Sequence, residues 1–459
     1  MKFVVQGMGM VSAILFAALS ISCGEGDDGR RENPFDNRPS FVEVRTSSNA
    51  DTLFLSWTRS GEGPDFERLR IEESSTGVVR EAESDTESCF FTRLPYNETF
   101  SVTFSAIDGG EVVDTYRLDT RISGLDETFA KVLIRDSGSV TGGDGMYSVA
   151  LPDGRSVFLM GDSWLGTVVD GQRSSAGNHM YRNTYILYDE GKVSAIAEAN
   201  GPNTSGAVPP GVTDEGKKWY WPGHGFARED RLYVFQTLMY QGGAGMWSFM
   251  YETTHILEYA LPEMTLVATT PIPFTGSPDV HYGMAALDDG NFIYVYAQVD
   301  VRNDANPVSD VLVARTTVEN LATDWEYYTG GSWSDNPSSA AKLEGLASVP
   351  VSSQFNVFKL GGKYVLLTQK KNFNSGEIYT FVSDTPYGPW RNRRLIFRTY
   401  EQNTPGLFTY NAMAHPQFER DGMILVSYNV NTEDFSQQFS DVSTYRPRFF
   451  WVSKEKILN

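Results

Sequence analysis

From residue 128 onward, short apolar runs follow polar turns at intervals, and almost no stretch has helical periodicity. The five clearest runs are Val157–Met160, Leu232–Phe235, Phe292–Tyr296, Tyr364–Leu367 and Ile424–Val426. Each follows a second strand-like segment and a turn, and the runs start roughly 60 to 75 positions apart. Five such units predict an all-β fold, a five-bladed β-propeller whose blades are four-stranded antiparallel sheets. Two stacked sandwiches and a right-handed β-helix are alternatives, although β-helix repeats are much shorter.

The segment before these repeats predicts a separate small domain over residues 41–124. "TLFLSWT" and "FERLRIEES" alternate between apolar and polar positions, and "LPYNETFSVTFSAIDGGEV" predicts a turn, a strand and a Gly-Gly hairpin. The strand that carries Trp57 and the later Leu94-Pro95-Tyr96 stretch resemble fibronectin type III modules, in which a core Trp packs between two sheets. The resemblance implies an N-terminal fibronectin type III-like β-sandwich that acts as a spacer or packing partner. The propeller then occupies residues 125–459, and direct glycan binding by the sandwich is the alternative.

The first 40 residues predict export and attachment. Lys2 precedes an apolar stretch from Met8 to Ile21 that leads to Cys23, so residues 1–22 have the pattern of a signal peptide. The "LSISC" sequence resembles a bacterial lipobox, although its leucine stands four residues before the cysteine rather than three. The resemblance implies lipidation of Cys23 and a linker over residues 23–40. The following "GEGDD" resembles the acidic tag that sends some lipoproteins of Gram-negative bacteria to the cell surface, which implies a surface-exposed outer-membrane lipoprotein. A plain cleaved secretory peptide is the alternative.

Composition narrows the classes of partner. The 459-residue chain is 41% hydrophobic and 13% aromatic, which indicates a globular protein with an ample core. Its net charge of −20 argues against nucleic acid, whose phosphates would be repelled, whereas a neutral glycan is compatible. Cys89 is the only other cysteine, so we expect it to be a buried small hydrophobe, with no disulfide framework and no Cys-based metal site. We expect a monomer that meets the membrane only through its lipid anchor.

In a propeller, the first strands of all blades begin at one rim of a central channel, so residues at those positions converge. Polar or ionisable residues stand at or just before each predicted start: Asp144, His224, Asp279 with His281, Gln354 and His415. A scaffold built for packing alone would favour small apolar residues at a crowded axis. The pattern therefore predicts a functional mouth, with solvated polar residues of a wet channel as the alternative.

Asp162 follows the second strand of the first unit, which returns to the rim where Asp144 begins. Two carboxylates about 5–10 Å apart are the arrangement of glycosidases, in which one is protonated to assist the leaving oxygen and the other is ionised. Burial and mutual repulsion separate their pKa values, so both roles coexist near neutral pH. Gly143, Gly145 and Gly161 let backbone and sugar approach closely. For each aspartate, a turn or strand-end cap is the alternative.

Aromatic side chains crowd the same loops. They are Trp164, Trp219, Tyr220, Trp221, Tyr240 and Trp247. Flat apolar faces with polar edges suit sugar rings, although any single aromatic residue is more often part of a core. The candidate substrate-binding residues are Trp164, Trp221, His224, His281, Gln354 and His415. A lone histidine is usually a satisfied polar residue, which is the alternative for each of the three histidines.

Three stretches carry a resemblance to a known family. "GGDGMYS" with "VFLMGDSW", "YNAMAHPQF" followed by "MILVSYNVN", and "SDTPYGPW" resemble bacterial five-bladed propeller glycoside hydrolases of the endo-D-arabinanase type. The resemblance covers residues 128–459 and implies that the acidic pair in the first blade, here Asp144 and Asp162, is catalytic. The resemblance does not assign the two roles; we expect Asp144 to be the base or nucleophile and Asp162 the general acid, with the reverse as the alternative. Asp279 is a candidate third carboxylate that positions substrate or tunes a pKa.

Together these patterns predict a surface glycoside hydrolase that cleaves a polysaccharide such as an arabinan or another furanoside. A non-catalytic glycan-binding lipoprotein of a polysaccharide uptake system and a structural surface protein are the other classes. No cofactor or metal is expected. A channel Ca²⁺ is the alternative, but the sequence has no Asp-rich calcium loop.

Overall fold

The computed structural model describes residues 41–49, 51–61, 63–83, 87–95, 98–197, 202–245, 247–300, 309–371 and 375–459. The predicted signal peptide, Cys23 and the linker lie outside these residues. The chain divides into two compact units. The first comprises residues up to 47 with 53–92 and 99–121, and the second comprises 48–52, 93–98 and 122–459.

The first unit consists of two antiparallel sheets. Its strands are β1 (Val42–Asn49), β2 (Thr52–Arg59), β3 (Arg68–Glu73), β4 (Val79–Glu83), β5 (Ser88–Phe91), β6 (Phe100–Asp108) and β7 (Glu111–Thr120). One sheet has the order β1-β2-β5 and the other β4-β3-β6-β7. Trp57 of the first sheet meets Phe104 of the second edge to face, with ring centroids 5.9 Å apart, so the core lies between the sheets. Cys89 is half-buried rather than buried, because β5 is an edge strand.

The second unit is also almost entirely β. Its helices are short: α1 (Glu127–Leu133), α2 (Gln437–Ser440) and α3 (Lys454–Leu458), with 3-10 turns at Pro337–Ser339, Glu401–Asn403 and Val442–Tyr445. Its first strands are β8 (Ser137–Gly143), β9 (Tyr147–Ala150), β10 (Ser156–Met160), β11 (Ser163–Val169), β12 (Gln172–Arg173), β13 (His179–Tyr181), β14 (Thr184–Asp189) and β15 (Lys192–Ile196). The following strands are β16 (Lys218–Arg228), β17 (Arg231–Gln241), β18 (Phe249–Ala260), β19 (Thr265–Pro271), β20 (Val280–Asp288), β21 (Ile293–Asp300), β22 (Ser309–Thr316), β23 (Glu326–Tyr328) and β24 (Trp333–Ser334). The last are β25 (Asn356–Leu360), β26 (Lys363–Gln369), β27 (Glu377–Ser383), β28 (Arg391–Arg398), β29 (Leu407–Arg420), β30 (Met423–Thr432) and β31 (Arg448–Ser453).

Five sheets follow one another along this unit. In order they are sheet 1 (β9-β10-β14-β15), sheet 2 (β16 to β19), sheet 3 (β20 to β24), sheet 4 (β25 to β28) and sheet 5 (β29 to β31). The five apolar runs of the sequence all lie in second strands, namely β10, β17, β21, β26 and β30. These strands read as continuous apolar runs because both of their faces are covered by neighbouring sheets. An auxiliary sheet of β8, β11, β12 and β13 adjoins sheet 1 in sequence.

The first strands of the five sheets lie against one another. β9 contacts β16, β16 contacts β20, β20 contacts β25, β25 contacts β29, and β29 contacts β9. A separate apolar cluster fills the space between each pair of consecutive sheets, and the cluster between sheets 5 and 1 includes Phe158 and Phe449. The first strands are therefore sheet edges that meet in the interior.

Buried side chains satisfy the backbone groups of these edges. The imidazole Nδ1 of His224 on β16 accepts from the N–H of Ala286 on β20 at 3.1 Å. The amide Oδ1 of Asn356 on β25 accepts from the N–H of Ala414 on β29 at 2.6 Å. The hydroxyl of Tyr147 on β9 donates to a backbone carbonyl of β20 at 2.5 Å. An unpaired buried N–H is costly, so these polar residues hold one sheet to the next.

We expect Asn356→Leu to lower the free energy of unfolding by about 1–3 kcal/mol. Asn356 is 2% exposed, and leucine, which is larger but branches at the same carbon, would leave the Ala414 N–H without its acceptor. Urea titration of the wild type and the variant measures the difference. Asn291→Leu, at an exposed turn, is the control and should be nearly neutral. Equal stability of Asn356→Leu and wild type would show that this contact does not hold sheet 5 to sheet 4.

Candidate active site

Asp144 and Asp162 are neighbours across two antiparallel segments. Ser163 on β11 pairs with Gly143 on β8, so the next positions place Asp162 beside Asp144. The Asp144 N–H donates to the Asp162 carbonyl at 3.2 Å, and the Gly161 N–H donates to the Asp144 carbonyl at 2.8 Å. Both aspartates are partly exposed, and the Asp162 side chain is 20% exposed to solvent. The sequence predicted that Asp162 lies near Asp144, and this pairing places the two residues side by side.

Glycine is required beside the pair for steric reasons. A Cβ on Gly161 would lie 2.4 Å from Oδ1 of Asp144, and a Cβ on Gly143 would lie 2.7 Å from the Ser163 hydroxyl. Gly145 has φ +93°, a conformation that other residues rarely adopt. The Asp144 carboxyl group is therefore held directly against the opposing backbone.

Tyrosines from the C-terminal part of the chain surround Asp144. The hydroxyl of Tyr410 donates to Oδ2 of Asp144 at 2.6 Å, and the side-chain amide of Asn431 donates to the Tyr410 hydroxyl at 3.3 Å. The hydroxyl of Tyr445 donates to the Asp162 carbonyl at 3.0 Å, and this hydroxyl also acts to lower the pKa of Asp144. The hydrogen-bond donor to the Asp144 carboxyl group is thus a neutral hydroxyl, and the charged group that acts on it is Asp162.

Asp162 has a cationic partner instead. Its Oδ1 accepts from the indole Nε1–H of Trp221 at 2.9 Å, and its Oδ2 lies 3.5 Å from Nη1 of Arg182. The Arg182 guanidinium sits 4.2 Å from the centroid of the Trp219 ring, which fixes its plane. The two carboxyl groups therefore differ in electrostatic environment although their backbones touch.

These environments act on the two pKa values. Burial raises the pKa of Asp144, the adjacent Asp162 raises it further, and the hydrogen bonds from Tyr410 and Tyr445 oppose the rise, leaving it at about 7. Burial also raises the pKa of Asp162 above its ordinary value, and Arg182 and the Trp221 N–H limit that rise. The arrangement can hold a proton on Asp144 near neutral pH beside an ionised Asp162.

Two of the predicted substrate-binding histidines face the interior. His415 has no exposed surface, and its ring nitrogens contact the hydroxyls of Ser148 at 2.7 Å and Ser427 at 2.9 Å. His224 is 9% exposed, accepts from Ala286 and stacks on Tyr147. Burial lowers their pKa values to about 3 and about 4, so both are neutral. They act as links between sheets, and neither is placed to contact a sugar.

Trp164 also packs inside the protein. It is 6% exposed, its ring meets Phe439 edge to face, and its Nε1–H donates to Oε1 of Gln438 at 2.9 Å. The Gln438 amide in turn donates to Oδ1 of Asn431 at 3.0 Å, and Asn431 donates to Tyr410. A chain of hydrogen bonds therefore connects Trp164 to Tyr410 and so to Asp144, and the buried Trp164 ring does not offer a face to a ligand.

Gln354 is partly exposed and contacts the neighbours in sequence of Trp221 and Tyr410, which hydrogen-bond Asp162 and Asp144. Its Nε2–H donates to the Pro222 carbonyl at 3.1 Å, next to Trp221, and its Oε1 accepts from Asn411 at 2.7 Å, next to Tyr410. It thus joins the strand that carries Trp221 to the strand that carries Tyr410.

Asp279 and His281 lie in a different environment. Asp279 is exposed, and its described contacts are with Ser277 and the backbone N–H of Asp300, not with Asp144 or Asp162. His281 stacks on Tyr251 with ring centroids 3.8 Å apart and hydrogen-bonds the Pro278 carbonyl. Among the described residues, the structure shows no contact between Asp279 and the aspartate pair, so the role of Asp279 as a third carboxylate stays a prediction.

The sequence did not connect Tyr410, Tyr445 or Asn431 with Asp144, because they are 266 or more positions away along the chain. Tyr410 and Asn431 stand at the ends of quoted motifs, but nothing local indicates their partners. "YNAMAHPQF" drew attention to His415, whereas the tyrosine at the start of that stretch contacts the carboxylate. Arg182 carries no signal in the sequence that ties it to Asp162.

Among the described residues, no group of three or more His, Cys, Asp or Glu side chains could hold a metal ion. No helix in the same part of the chain has the length and apolar character needed to cross a membrane.

A family model described as a domain of unknown function, DUF5005, matches residues 126–454, and the chain belongs to this family. None of the curated proteins matches the sequence. Among solved structures, a Bacteroides ovatus protein described as a presumed hydrolase is similar over 77% of this chain and 90% of its own, with 21% identity and a TM-score of 0.59. This similarity shows a shared fold.

Two further solved structures are similar at lower scores. An exo-1,5-α-L-arabinanase from a bovine ruminal metagenomic library has 9% identity over 69% of this chain and 95% of its own, with a TM-score of 0.39. A GH43_1 enzyme from Xanthomonas citri complexed with xylotriose has 15% identity over 71% of this chain and 92% of its own, with a TM-score of 0.38. Scores this low carry no further weight.

The raised pKa of Asp144 predicts how stability depends on pH. Folding raises this pKa from near 4 to about 7, so the folded state keeps a proton that the unfolded state has released in that window. Its contribution to stability is complete below about pH 4 and is lost as pH rises through about 7, by about 1.4 kcal/mol for each unit of pKa shift.

We expect Asp144→Asn to remove this loss, so that its free energy of unfolding relative to wild type rises between about pH 4 and pH 8. Urea titrations at a series of pH values measure the difference. Asp153→Asn, in the exposed turn of the same hairpin, is the matched control and should run parallel to wild type. Parallel curves for Asp144→Asn as well would contradict the raised pKa.

Proposed function

We propose that this member of the DUF5005 family is a glycoside hydrolase that uses Asp144 and Asp162 as an acid–base pair. The observation that carries the proposal is the contrast between two adjacent, partly exposed carboxyl groups. One has only neutral donors and a pKa raised to about 7, and the other faces an arginine and an indole N–H. Glycoside hydrolysis needs one protonated and one ionised carboxyl group at the same pH.

The surroundings favour Asp144 as proton donor and Asp162 as the ionised partner. Arg182 stabilises the charge on Asp162, and that charge in turn raises the proton affinity of Asp144. A neutral Asp144 can give its proton to the oxygen that leaves the sugar. Asp162 then acts as base or nucleophile, or supports the charge that develops on the sugar. This assignment is the alternative to the one first expected from the sequence, and it keeps the same two residues.

The proposed substrate is a neutral polysaccharide, of which an arabinan or another furanoside is the form that the resemblance favours. The net charge of −20 is compatible with a neutral ligand and disfavours a polyanion. The Bacteroides ovatus protein that shares the fold is described as a presumed hydrolase, in line with a hydrolytic reaction.

The finer architecture belongs to this proposal. We interpret sheets 1 to 5 as the five blades of a propeller, supported by the ring of contacts among β9, β16, β20, β25 and β29. The two sheets of three and four strands in the first unit support the fibronectin type III-like interpretation. Attachment through Cys23 at the surface of a Gram-negative outer membrane completes the proposal and rests on the sequence alone.

A glycan-binding lipoprotein without catalysis is the second candidate. Partly exposed Trp221 and Phe249 beside the pair favour it, since aromatic faces alone can bind sugars. The two functions differ in whether the carboxyl groups are needed.

We expect wild type to release reducing sugar from a polysaccharide panel that includes D-arabinan and L-arabinan, and both Asp144→Asn and Asp162→Asn to lose activity by orders of magnitude. Asp153→Asn is the matched control and should retain activity. Asp279→Asn should retain most of it, since Asp279 makes no contact with the pair among the described residues. Survival of activity in both pair variants would move the site elsewhere, and binding without release would favour the second candidate.

The assignment of Asp144 as proton donor predicts the alkaline limb of the pH–activity profile. The hydrogen bond from Tyr410 lowers the pKa of Asp144, so Tyr410→Phe should raise it and move the alkaline limb to higher pH. Tyr233→Phe, which removes a hydroxyl outside the site, is the control. A shift of the alkaline limb to lower pH in Tyr410→Phe would contradict the assignment.

A further inference from the structure

A continuous row of aromatic side chains leads away from the carboxylate pair. Trp221 donates its indole N–H to Asp162 at 2.9 Å, and Phe249 meets the Trp221 ring edge to face with centroids 4.8 Å apart. Trp247 lies next to Phe249 with a centroid separation of 6.3 Å. We call Trp221, Phe249 and Trp247 the aromatic ridge. Its first ring hydrogen-bonds Oδ1 of Asp162, and two contacts between neighbouring rings connect that ring to Trp247.

The far end of the ridge is open to solvent. Trp247 is 64% exposed, and Phe249 and Trp221 are partly exposed, so exposure increases away from Asp162. A single exposed apolar residue needs no explanation, but a contiguous row of one exposed and two partly exposed aromatic side chains is typical of a binding surface. Its continuity with the carboxylate pair indicates that the same ligand covers both.

The loop that carries Trp247 is held by its own hydrogen bonds. The Gln241 side-chain amide donates to the carbonyls of Gly243 and Gly245, each at 2.7 Å. The Gly242 N–H donates to the Ser248 carbonyl at 2.8 Å, and the Ser248 N–H donates to the Gly245 carbonyl at 3.0 Å. The described residues on either side of Trp247 are thus linked by hydrogen bonds, which limits the entropy that they lose when a ligand binds.

We infer that the aromatic ridge is a sugar-binding subsite for a neutral oligosaccharide or polysaccharide chain, in which Trp247 binds a sugar unit beyond those next to the scissile bond. The inference rests on the proposed function and names its ligand as a chain rather than a single sugar. Indole and phenyl faces pack on the C–H faces of sugar rings, and the acidic surface of the protein does not oppose an uncharged chain.

The test separates binding from hydrolysis. Binding is measured by the retardation of Asp144→Asn protein in native gels that contain D-arabinan or L-arabinan, so that no substrate is consumed. In this background, Trp247→Ala should weaken retention about tenfold, which corresponds to about 1.4 kcal/mol. Trp247→Phe keeps an aromatic face and should restore most of the retention. Val267→Ala, an exposed apolar residue on β19 of the same sheet, is the control and should be unchanged.

The second arm uses the otherwise wild-type enzyme. Trp247→Ala should lower kcat/KM about tenfold on the polysaccharide and leave it unchanged on a disaccharide of the same sugar, which is too short to reach the end of the ridge. Equal losses on both substrates, or none on either, would overturn the inference while the proposed function stands. Retention that depends on Trp247 without sugar release would overturn the proposed function and support the subsite. Absence of retention in every gel would overturn the subsite.

Discussion

The second unit depends on one constraint: five sheet edges meet in its interior, and their backbone groups need hydrogen-bond partners there. The first strands β9, β16, β20, β25 and β29 pair on one side only, so their inward N–H and C=O groups need other partners. His224, Asn356 and Tyr147 supply them from neighbouring sheets. This requirement explains why polar residues occupy an interior that apolar packing alone would fill with small side chains.

The same constraint separates structural polar residues from chemically active ones. Within the interior, His224 and His415 stay neutral because burial lowers their pKa values to about 4 and about 3, which lets them accept and donate hydrogen bonds without a charge. Near the ends of the strands, Asp144 and Asp162 keep some solvent contact, and the pKa of Asp144 is raised to about 7. The buried histidines and the partly exposed carboxyl groups therefore differ in depth as well as in residue type.

Sequence patterns predicted the repeating sheets well, because each second strand is buried on both faces and so reads as an apolar run such as Val157–Met160. They also predicted that Asp144 and Asp162 lie close together, because the two residues stand at the open ends of one antiparallel hairpin. They could not separate His415 from a ligand-facing residue, because depth within the interior leaves no local signal. Nor could they find Tyr410 or Arg182, whose contacts with the pair depend on how distant segments pack.

The candidate site forms where the last sheet contacts the first, because residues from both parts of the chain surround the two carboxyl groups. Tyr410 on β29 and Tyr445 beyond β30 reach Asp144 and Asp162 across 266 and 283 positions of the chain. The same β29 contacts β9, and apolar side chains of sheets 5 and 1 pack together. Two carboxyl groups left without these hydroxyls would repel each other at higher cost, because the hydrogen bonds from Tyr410 and Tyr445 lower the pKa of Asp144. Contacts of such sequence separation form late relative to local ones, so the environment of Asp144 is complete only when sheet 5 has packed on sheet 1.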